Sequence, residues 1–309
     1  MAYFLGIDGG GSKTTCVVGD EVAVLARVTT GPSNITRVGE TRARESLQEA
    51  IRQACGAAEI DPRQVQHACV GVAGVGNEKT AGAVRKLVAE IMPAEIEVVG
   101  DMQIALEAAF GGGPGMIVIA GTGSIAYGRD AQGKTARAGG WGFAVSDEGS
   151  AHWIGRSAVA ALLRAVDQCA EIRDTPEASP LWRELKTAWD LPSLEALVRE
   201  ANSRRDFAAL FPAVIAAADA GDELAQQVLL YAGRELAQLA SIIARALFPE
   251  NGVLTIPLGI VGGVFAHSKR VREAFRGEVV NLDPRFTVSL EIIDPVAGAL
   301  AIARKAAKS

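Results

Sequence analysis

The chain has 309 residues, of which 49% are hydrophobic and 22% are charged, and its formal net charge is -5. This composition is that of an ordinary globular protein, and the negative charge argues against a nucleic-acid partner, because phosphate backbones are bound by an excess of lysine and arginine. No run approaches the ~18 apolar residues that a membrane helix needs, so we expect no membrane partner either.

The cysteines and the first residues bear on the compartment. Cys16, Cys55, Cys69 and Cys169 are far apart and form no CxxC motif. This spacing indicates neither a disulfide framework nor a zinc site. The first ten residues lack the basic region of a signal peptide. We therefore expect reduced thiols and a cytoplasmic location.

The first third of the chain alternates strand patterns with helix patterns. Apolar runs predict strands, and apolar residues at helical spacing predict helices. In chain order we predict strands at YFLGID, TCVVGD and VAVLARV, a helix over about 40–57, the strand HACVGVAG, the helix KTAGAVRKLVAEIM, the strand IEVVGD and the helix MQIALEAAF. Such alternation predicts α/β units around a mostly parallel sheet.

The clearest break in this pattern is the glycine-rich run GGGPG at 111–115. A chain of this length usually holds two domains. We therefore expect an N-terminal α/β domain over 1–112 and a C-terminal α/β domain over 113–294.

The rest of the chain changes character twice. Residues from about 149 to 247 are rich in alanine and leucine and predict a large helical insertion. A strand (253–263), a helix, the strand FTVSLEII and a final helix (295–307) follow. We expect the C-terminal segment 295–309 to pack back on the N-terminal domain.

The break also reveals an internal repeat. GIDGGGSKTTCVVGD and VIAGTGSIAYGRD each consist of an apolar strand, a turn containing G-x-G-S and a second strand. The aligned pairs are Ile7 with Ile119, Gly9 with Gly121, Gly11 with Gly123 and Ser12 with Ser124. Two such copies, each opening an α/β half, indicate a duplicated architecture.

The glycine turns suit an oxyanion such as a phosphate. A P-loop is excluded because Lys13 comes one place too late, and a dinucleotide fingerprint is excluded because a strand follows the glycines instead of a helix. We expect these glycines to take φ > 0 and to point their N–H groups at an anion. A purely structural hairpin is the alternative, and the presence of two copies favours the phosphate cradle.

Several motifs in order carry a resemblance that spans nearly the whole chain. They are DGGGSKT (8–14), GTGS (121–124), GGWG (139–142), DEGS (147–150) and VGGV (261–264). With them the chain resembles the family of BadF/BadG-type ATPases and N-acetylglucosamine kinases, within the superfamily of actin, hexokinase and Hsp70. The resemblance implies an α/β fold of two ribonuclease-H-like domains, the duplicated actin-like ATPase fold, with a cleft between them.

Two aspartates receive roles from this resemblance. Asp8 ends the first strand and could be a turn residue, but its match in the family helps to hold Mg²⁺. Asp101 is the last residue of IEVVGD and begins the next helix, so it could be a helix N-cap. The carboxyl ends of strands are, however, where α/β sheets bind ligands. The match of Asp101 is the catalytic base, which orients the attacking hydroxyl in phosphoryl transfer.

The remaining site residues bind ATP or the sugar. The resemblance implies ATP contacts from Gly9, Gly10, Gly11, Ser12, Lys13, Thr14, Gly121, Thr122, Gly123, Ser124, Gly262 and Gly263. It implies sugar contacts from Asn34, Gly74, Gly140, Trp141 and Asp147. The residues themselves leave other interpretations open, because loop asparagines are mostly turn formers and Trp141 could equally pack in the core.

The resemblance implies a kinase that uses ATP and Mg²⁺. We expect an amino sugar as substrate, with N-acetylglucosamine converted to its 6-phosphate, and a homodimer. Glucosamine and N-acetylmuramate remain alternatives, since the family's sugar kinases can carry a hydroxyl where this chain has Val72, Ala73 and Gly74. Another alternative is an ATPase that activates a radical dehydratase or reductase, which would need cluster-binding cysteines. A sugar-binding regulator would need an additional DNA-binding segment.

Overall fold

The computed structural model describes residues 2–75, 78–203, 206–249 and 254–308. The strands in these ranges are β1 (Tyr3–Gly9), β2 (Thr14–Gly19), β3 (Val24–Thr30), β4 (Val65–Val72), β5 (Glu95–Gly100), β6 (Gly115–Ala120), β7 (Ser124–Arg129), β8 (Thr135–Gly139), β9 (Ile256–Val261) and β10 (Phe286–Ile292). Val253, the first residue of the predicted strand 253–263, lies outside the described residues.

The helices complete the α/β pattern. They are α1 (Ile35–Ala57), α2 (Glu78–Ala89), α3 (Asp101–Phe110), α4 (Ala151–Gln168), α5 (Ala170–Asp174), α6 (Pro180–Trp189), α7 (Leu194–Asn202), α8 (Phe211–Asp219), α9 (Glu223–Leu247), α10 (Gly263–His267), α11 (Lys269–Leu282) and α12 (Pro295–Ala306). No described helix is both long enough and apolar enough to cross a membrane.

The chain folds into two units. Unit 1 consists of residues 1–117 and 293–309, and unit 2 consists of residues 118–292. Each unit is built around one five-stranded sheet, with the strand orders β3-β2-β1-β4-β5 and β10-β9-β6-β7-β8. Strands β6 to β10 correspond in order to strands β1 to β5. Both sheets therefore have the same strand order, which is written from opposite edges here. The predicted duplicated α/β fold is therefore confirmed.

In unit 1 the sheet is covered on both faces. β1 lies at its centre, antiparallel to β2 and parallel to β4. Side chains alternate between the faces of a strand, so Leu5 and Ile7 join the core formed with α1 and α2, whereas Phe4 joins the core formed with α3 and α12. The C-terminal helix α12 packs directly on β1, where a Cβ on Gly6 would lie 2.5 Å from the backbone nitrogen of Leu300.

Two local departures from the predicted elements are β8, which the sequence pattern missed, and the start of α1. The structure begins this helix at Ile35, and Gly39 inside it has φ 79° and ψ 165°. That backbone conformation is essentially restricted to glycine. Gly39 therefore separates a first turn, 35–38, from the body of the helix, and the sequence pattern detected only the body.

Candidate functional site

The first hairpin, β1–β2, closes as a short turn in unit 1. Gly9 pairs with Thr14 across the hairpin, and the Gly10 N–H donates to the Lys13 carbonyl at 2.9 Å. None of Gly9, Gly10 and Gly11 has the left-handed backbone that we expected from the sequence. That expectation was wrong, and the need for glycine has another physical cause.

Close approach by neighbouring segments excludes a larger residue at Gly9 and leaves little room at Gly11. A Cβ on Gly9 would lie 2.5 Å from Ser33 Oγ, and a Cβ on Gly11 would lie 3.2 Å from Arg37 Cδ. The backbone N–H groups of Ser33 and Asn34 both donate to the Gly10 carbonyl at 3.2 Å. The hairpin is therefore fastened to the chain that connects β3 with α1.

The same turn also meets the loop that follows β4. The Ala73 N–H donates to the Gly9 carbonyl at 2.9 Å. Next to it, a Cβ on Gly74 would lie 3.3 Å from Asn34 Oδ1. The structure thus brings together three regions predicted from the sequence: the glycine hairpin, Asn34 and Gly74.

Asn34 and Thr14 each have a structural task at this place. Asn34 is the N-cap of α1, and its Oδ1 accepts from the Thr36 N–H at 3.1 Å and from the Thr36 hydroxyl at 2.6 Å. The fully buried Thr14 donates its hydroxyl to the Gly31 carbonyl at 2.7 Å. The cap still leaves the amide nitrogen of Asn34 as a donor for a ligand.

Asp8 lies in an acidic environment at the carboxyl end of β1. Burial is the largest cause that raises its pKa from 3.8 to about 7, and the negative charges of Asp101 and Asp294 add to this effect. Lys13 and Arg27 act in the opposite direction. A half-buried carboxylate surrounded by like charge is stabilised in its ionised form by a cation.

Asp101 is the first residue of α3 and not its N-cap. The N-cap is Gly100, whose N–H donates to Gln103 Oε1 at 2.8 Å, so the N-cap interpretation of Asp101 is wrong. Asp101 Oδ1 accepts from the Met102 N–H at 2.9 Å. Burial raises the pKa of this carboxyl, and the backbone hydrogen bond opposes the shift.

The donor set of unit 1 fits Mg²⁺. This ion takes one or two carboxylates, keeps several waters and binds the remaining oxygens on phosphates. Asp8 supplies a carboxylate whose charge Lys13 and Arg27 offset only in part, beside three consecutive glycines. The described residues contain no group of three or more His, Cys, Asp or Glu side chains that could hold a metal ion.

The second hairpin, β6–β7, lies in unit 2 and is tied to the DEGS turn. The Gly121 N–H donates to the Gly123 carbonyl at 2.9 Å, and the Ala151 N–H donates to the Gly121 carbonyl at 2.9 Å. Ser124 Oγ donates to the Glu148 carbonyl at 2.7 Å. The turn carries Thr122 at its tip and has open space beside Gly121.

Asp147 connects this hairpin with the GGWG loop. It is buried and has a left-handed backbone with φ 66°. Burial raises the pKa of its carboxyl, while the Gly142 and Ser124 N–H groups donate to that carboxyl and oppose the shift. A Cβ on Gly123 would lie 2.7 Å from Asp147 Oδ2. Glycine is therefore required at this position so that the carboxylate can approach the turn.

Trp141 is displayed on the surface of unit 2. Trp141 is 69% exposed, so the alternative that this side chain packs in the core is wrong. The guanidinium carbon of Arg137 lies 4.2 Å from the centre of its ring. A Cβ on the neighbouring Gly140 would lie 2.8 Å from Ile125 Cδ1, which places the loop backbone directly against β7.

The VGGV segment also adjoins the second hairpin. Gly262 has φ 102°, and a Cβ there would overlap the carbonyl of Ala120, the last residue of β6. Gly263 begins α10 directly after it. Unit 2 therefore groups GTGS, GGWG, DEGS and VGGV around the β6–β7 turn.

Sequence reasoning missed three charged residues near the first hairpin. Arg27 on β3 forms an ion pair with Asp294, and both affect the charge of Asp8. Arg37 lies against Gly11. Asp294 before Pro295 is a typical helix start, but nothing in its local sequence indicates a position near residue 8.

Comparison with known proteins gives a consistent set of relatives. Residues 5–303 match the model of the BadF/BadG/BcrA/BcrD ATPase family. The chain is 32% identical to the N-acetylmuramic acid/N-acetylglucosamine kinase of Clostridium acetobutylicum over 98% of this chain and 99% of that protein. It is 29% identical to the N-acetyl-D-glucosamine kinase of Dictyostelium discoideum over 99% and 98% of the two chains.

A solved structure extends this similarity to the fold. It is described as a putative N-acetylglucosamine kinase from Chromobacterium violaceum. The two chains are 27% identical, the match covers 98% of this chain and 99% of the other, and the TM-score is 0.77. The fold of this chain therefore has a counterpart in a protein of similar length.

Proposed function

Since the chain belongs to the BadF/BadG/BcrA/BcrD ATPase family, we propose that it is an ATP-dependent kinase of an amino sugar. The preferred substrate is N-acetylglucosamine, and the product is its 6-phosphate. One observation carries the proposal: Asp8 and Asp101 lie at the same edge of the unit 1 sheet, close enough for Asp101 to raise the pKa of Asp8. A magnesium ligand and a general base for phosphoryl transfer need this proximity.

The two hairpins are assigned to the nucleotide phosphates. In unit 1, the turn Gly9–Ser12 and the ammonium of Lys13 are assigned to the phosphates, and Thr14 holds the turn in shape. In unit 2, the turn Gly121–Ser124, with Thr122 at its tip, is assigned to the phosphates as well, and Gly262 and Gly263 are assigned to adenosine. Mg²⁺ bound near Asp8 would neutralise phosphate charge.

Asp101 is assigned to proton transfer. Its Oδ1 is oriented by the Met102 N–H, and the second oxygen is left to accept the proton of the sugar 6-hydroxyl as the hydroxyl oxygen attacks phosphorus. A raised pKa makes an ionised carboxylate a better proton acceptor, so burial serves this role.

Sugar contacts are assigned in each unit separately. In unit 1, Asn34 offers its amide nitrogen and Gly74 offers space beside it. In unit 2, Trp141 offers an apolar ring next to Gly140, and Asp147 offers the carboxylate lone pairs that remain beside its two backbone hydrogen bonds. Amides and carboxylates pair with ring hydroxyls, and an exposed ring suits an N-acetyl methyl group.

N-acetylmuramate is the second candidate substrate, because the relative from Clostridium acetobutylicum is named for both sugars. Activation of a radical enzyme receives no support from the thiols. Cys16, Cys55 and Cys69 are buried and Cys169 alone of the four is partly exposed, whereas a cluster bound between subunits needs thiolates at the surface. A homodimer in the cytoplasm stays a prediction, which sedimentation and cell fractionation would test.

The deciding experiment couples ADP release to a spectroscopic readout with each sugar in turn. We expect Mg²⁺-dependent turnover with N-acetylglucosamine, and we expect glucosamine and N-acetylmuramate to have lower kcat/KM. A kcat/KM for glucosamine about tenfold above that for N-acetylglucosamine would overturn the substrate assignment, since tenfold corresponds to about 1.4 kcal/mol of transition-state preference. A rate of ATP turnover that no sugar changes would overturn the kinase assignment.

A further inference from the structure

Arg37 is placed where the phosphate hairpin and Asn34 meet. A Cβ on Gly11 would lie 3.2 Å from Arg37 Cδ and 3.8 Å from both Nε and Nη1. The Arg37 backbone N–H donates to the Asn34 carbonyl at 3.0 Å. Arg37 is an exposed residue whose side chain lies against the turn of the hairpin, three residues after the proposed sugar contact Asn34.

The local backbone fixes this placement. Gly39 breaks α1 after its first turn, so residues 35–38 take a direction of their own. The Ser33 and Asn34 N–H groups fasten the start of that turn to the Gly10 carbonyl. A side chain three residues after Asn34 is thereby held against the hairpin and not along the body of the helix.

The charge balance of the hairpin calls for such a cation. Asp8 at the end of β1 and Asp101 at the start of α3 place two carboxyl groups at this end of the sheet, and a triphosphate adds further negative charge. Lys13 in the turn supplies one cation, and Arg37 beside Gly11 supplies another. A planar guanidinium group can donate two parallel hydrogen bonds to two oxygens of one phosphoryl group.

We propose that Arg37 is a catalytic residue that contacts the phosphoryl group during its transfer. The inference rests on the proposed kinase function and adds a residue to it. The phosphoryl group moves from the nucleotide, at the hairpin, towards the sugar, at Asn34, and Arg37 adjoins both. Its contribution is largest in the transition state, when charge spreads over the oxygens of the transferring group.

The test compares Arg37→Met, which keeps the length and loses the charge, with Arg37→Lys. Arg42→Met is the matched control, because Arg42 lies on the same helix, pairs with Glu45 and has Nη2 only 3.3 Å from a Cβ placed on Gly31. We expect Arg37→Met to lower kcat by about 1,000-fold and Arg37→Lys to recover part of the loss. KM for ATP and for the sugar, and every constant of Arg42→Met, should stay within about threefold.

A binding measurement needs no sugar and separates the two proposals. Calorimetry with Mg²⁺, ADP and aluminium fluoride reports affinity for a mimic of the transferring phosphoryl group. We expect Arg37→Met to lose at least about tenfold of this affinity and none of its affinity for ADP alone. If no sugar is phosphorylated but this selective loss appears, only the kinase assignment fails. Equal losses for ADP with and without the mimic, or a kcat within threefold of wild type, would overturn the role of Arg37.

Discussion

Replacing Asp8 by asparagine should stabilise the ligand-free protein at neutral pH, although it removes the carboxylate proposed to hold Mg²⁺. Burial and the charges of Asp101 and Asp294 raise the pKa of Asp8 from 3.8 to about 7. The ionised carboxylate is therefore less favourable in the folded state than in the solvated unfolded chain. Asparagine has nearly the same shape and carries no charge.

The size of the effect follows from the two pKa values. One pKa unit corresponds to about 1.36 kcal/mol, so the interval from 3.8 to about 7 corresponds to on the order of 4 kcal/mol of unfolding free energy. Between these pH values the folded state binds more protons at Asp8 than the unfolded state does. The free energy of unfolding of the wild type should therefore fall as pH rises from about 4 to about 7, and that of Asp8→Asn should not show this decrease.

Urea unfolding followed by circular dichroism at pH 4, 6 and 8 measures the difference. We expect the two proteins to be nearly equal at about pH 4 and Asp8→Asn to be clearly more stable at about pH 8. Asp20→Asn is the control of opposite sign. The Ala23 and Val22 N–H groups lower the pKa of Asp20, so its contribution is present above the unfolded pKa and is lost as pH falls.

Two outcomes would refute this reasoning. A stability difference that is the same at all three pH values would show that Asp8 titrates normally in the folded protein. A wild-type protein that is more stable than Asp8→Asn at pH 8 would show that its charge is already compensated without a cation. Repeating the measurement with Mg²⁺ and ATP should narrow the difference, because only wild type keeps the carboxylate.

Three other substitutions test separate parts of the structure. Asp101→Asn should lower kcat by about 10²- to 10⁴-fold without a loss of stability, because asparagine still accepts from the Met102 N–H and burial disfavours the charged carboxylate; near-normal turnover in steady-state kinetics would place the base elsewhere. Gly298→Ala should destabilise by about 1–3 kcal/mol in urea, since its Cβ would overlap the Ile104 carbonyl. Gly277→Ala, inside α11 with open space around it, should instead stabilise by about 0.5–1 kcal/mol; a similar loss in both alanine variants would contradict the packing argument.

The sequence by itself determined the strands other than β8, the hairpins and the duplication. Phe4, Leu5 and Ile7 form an apolar run bounded by a glycine turn, and this pattern predicts a strand. The matching turn at 121–124 predicted the second unit. Signals of this kind are readable because they depend on residues that are close together along the chain.

Only the tertiary structure decided how the candidate site is assembled. The sequence indicated glycine at positions 9, 11 and 123 but assigned the wrong cause, since Ser33, Arg37 and Asp147 approach those positions and the backbone is not left-handed. Asp294 reaches the neighbourhood of Asp8 from the other end of the chain. A close approach or a shared electric field depends on distances between residues that are remote in sequence, and such distances leave no local pattern until the chain has folded.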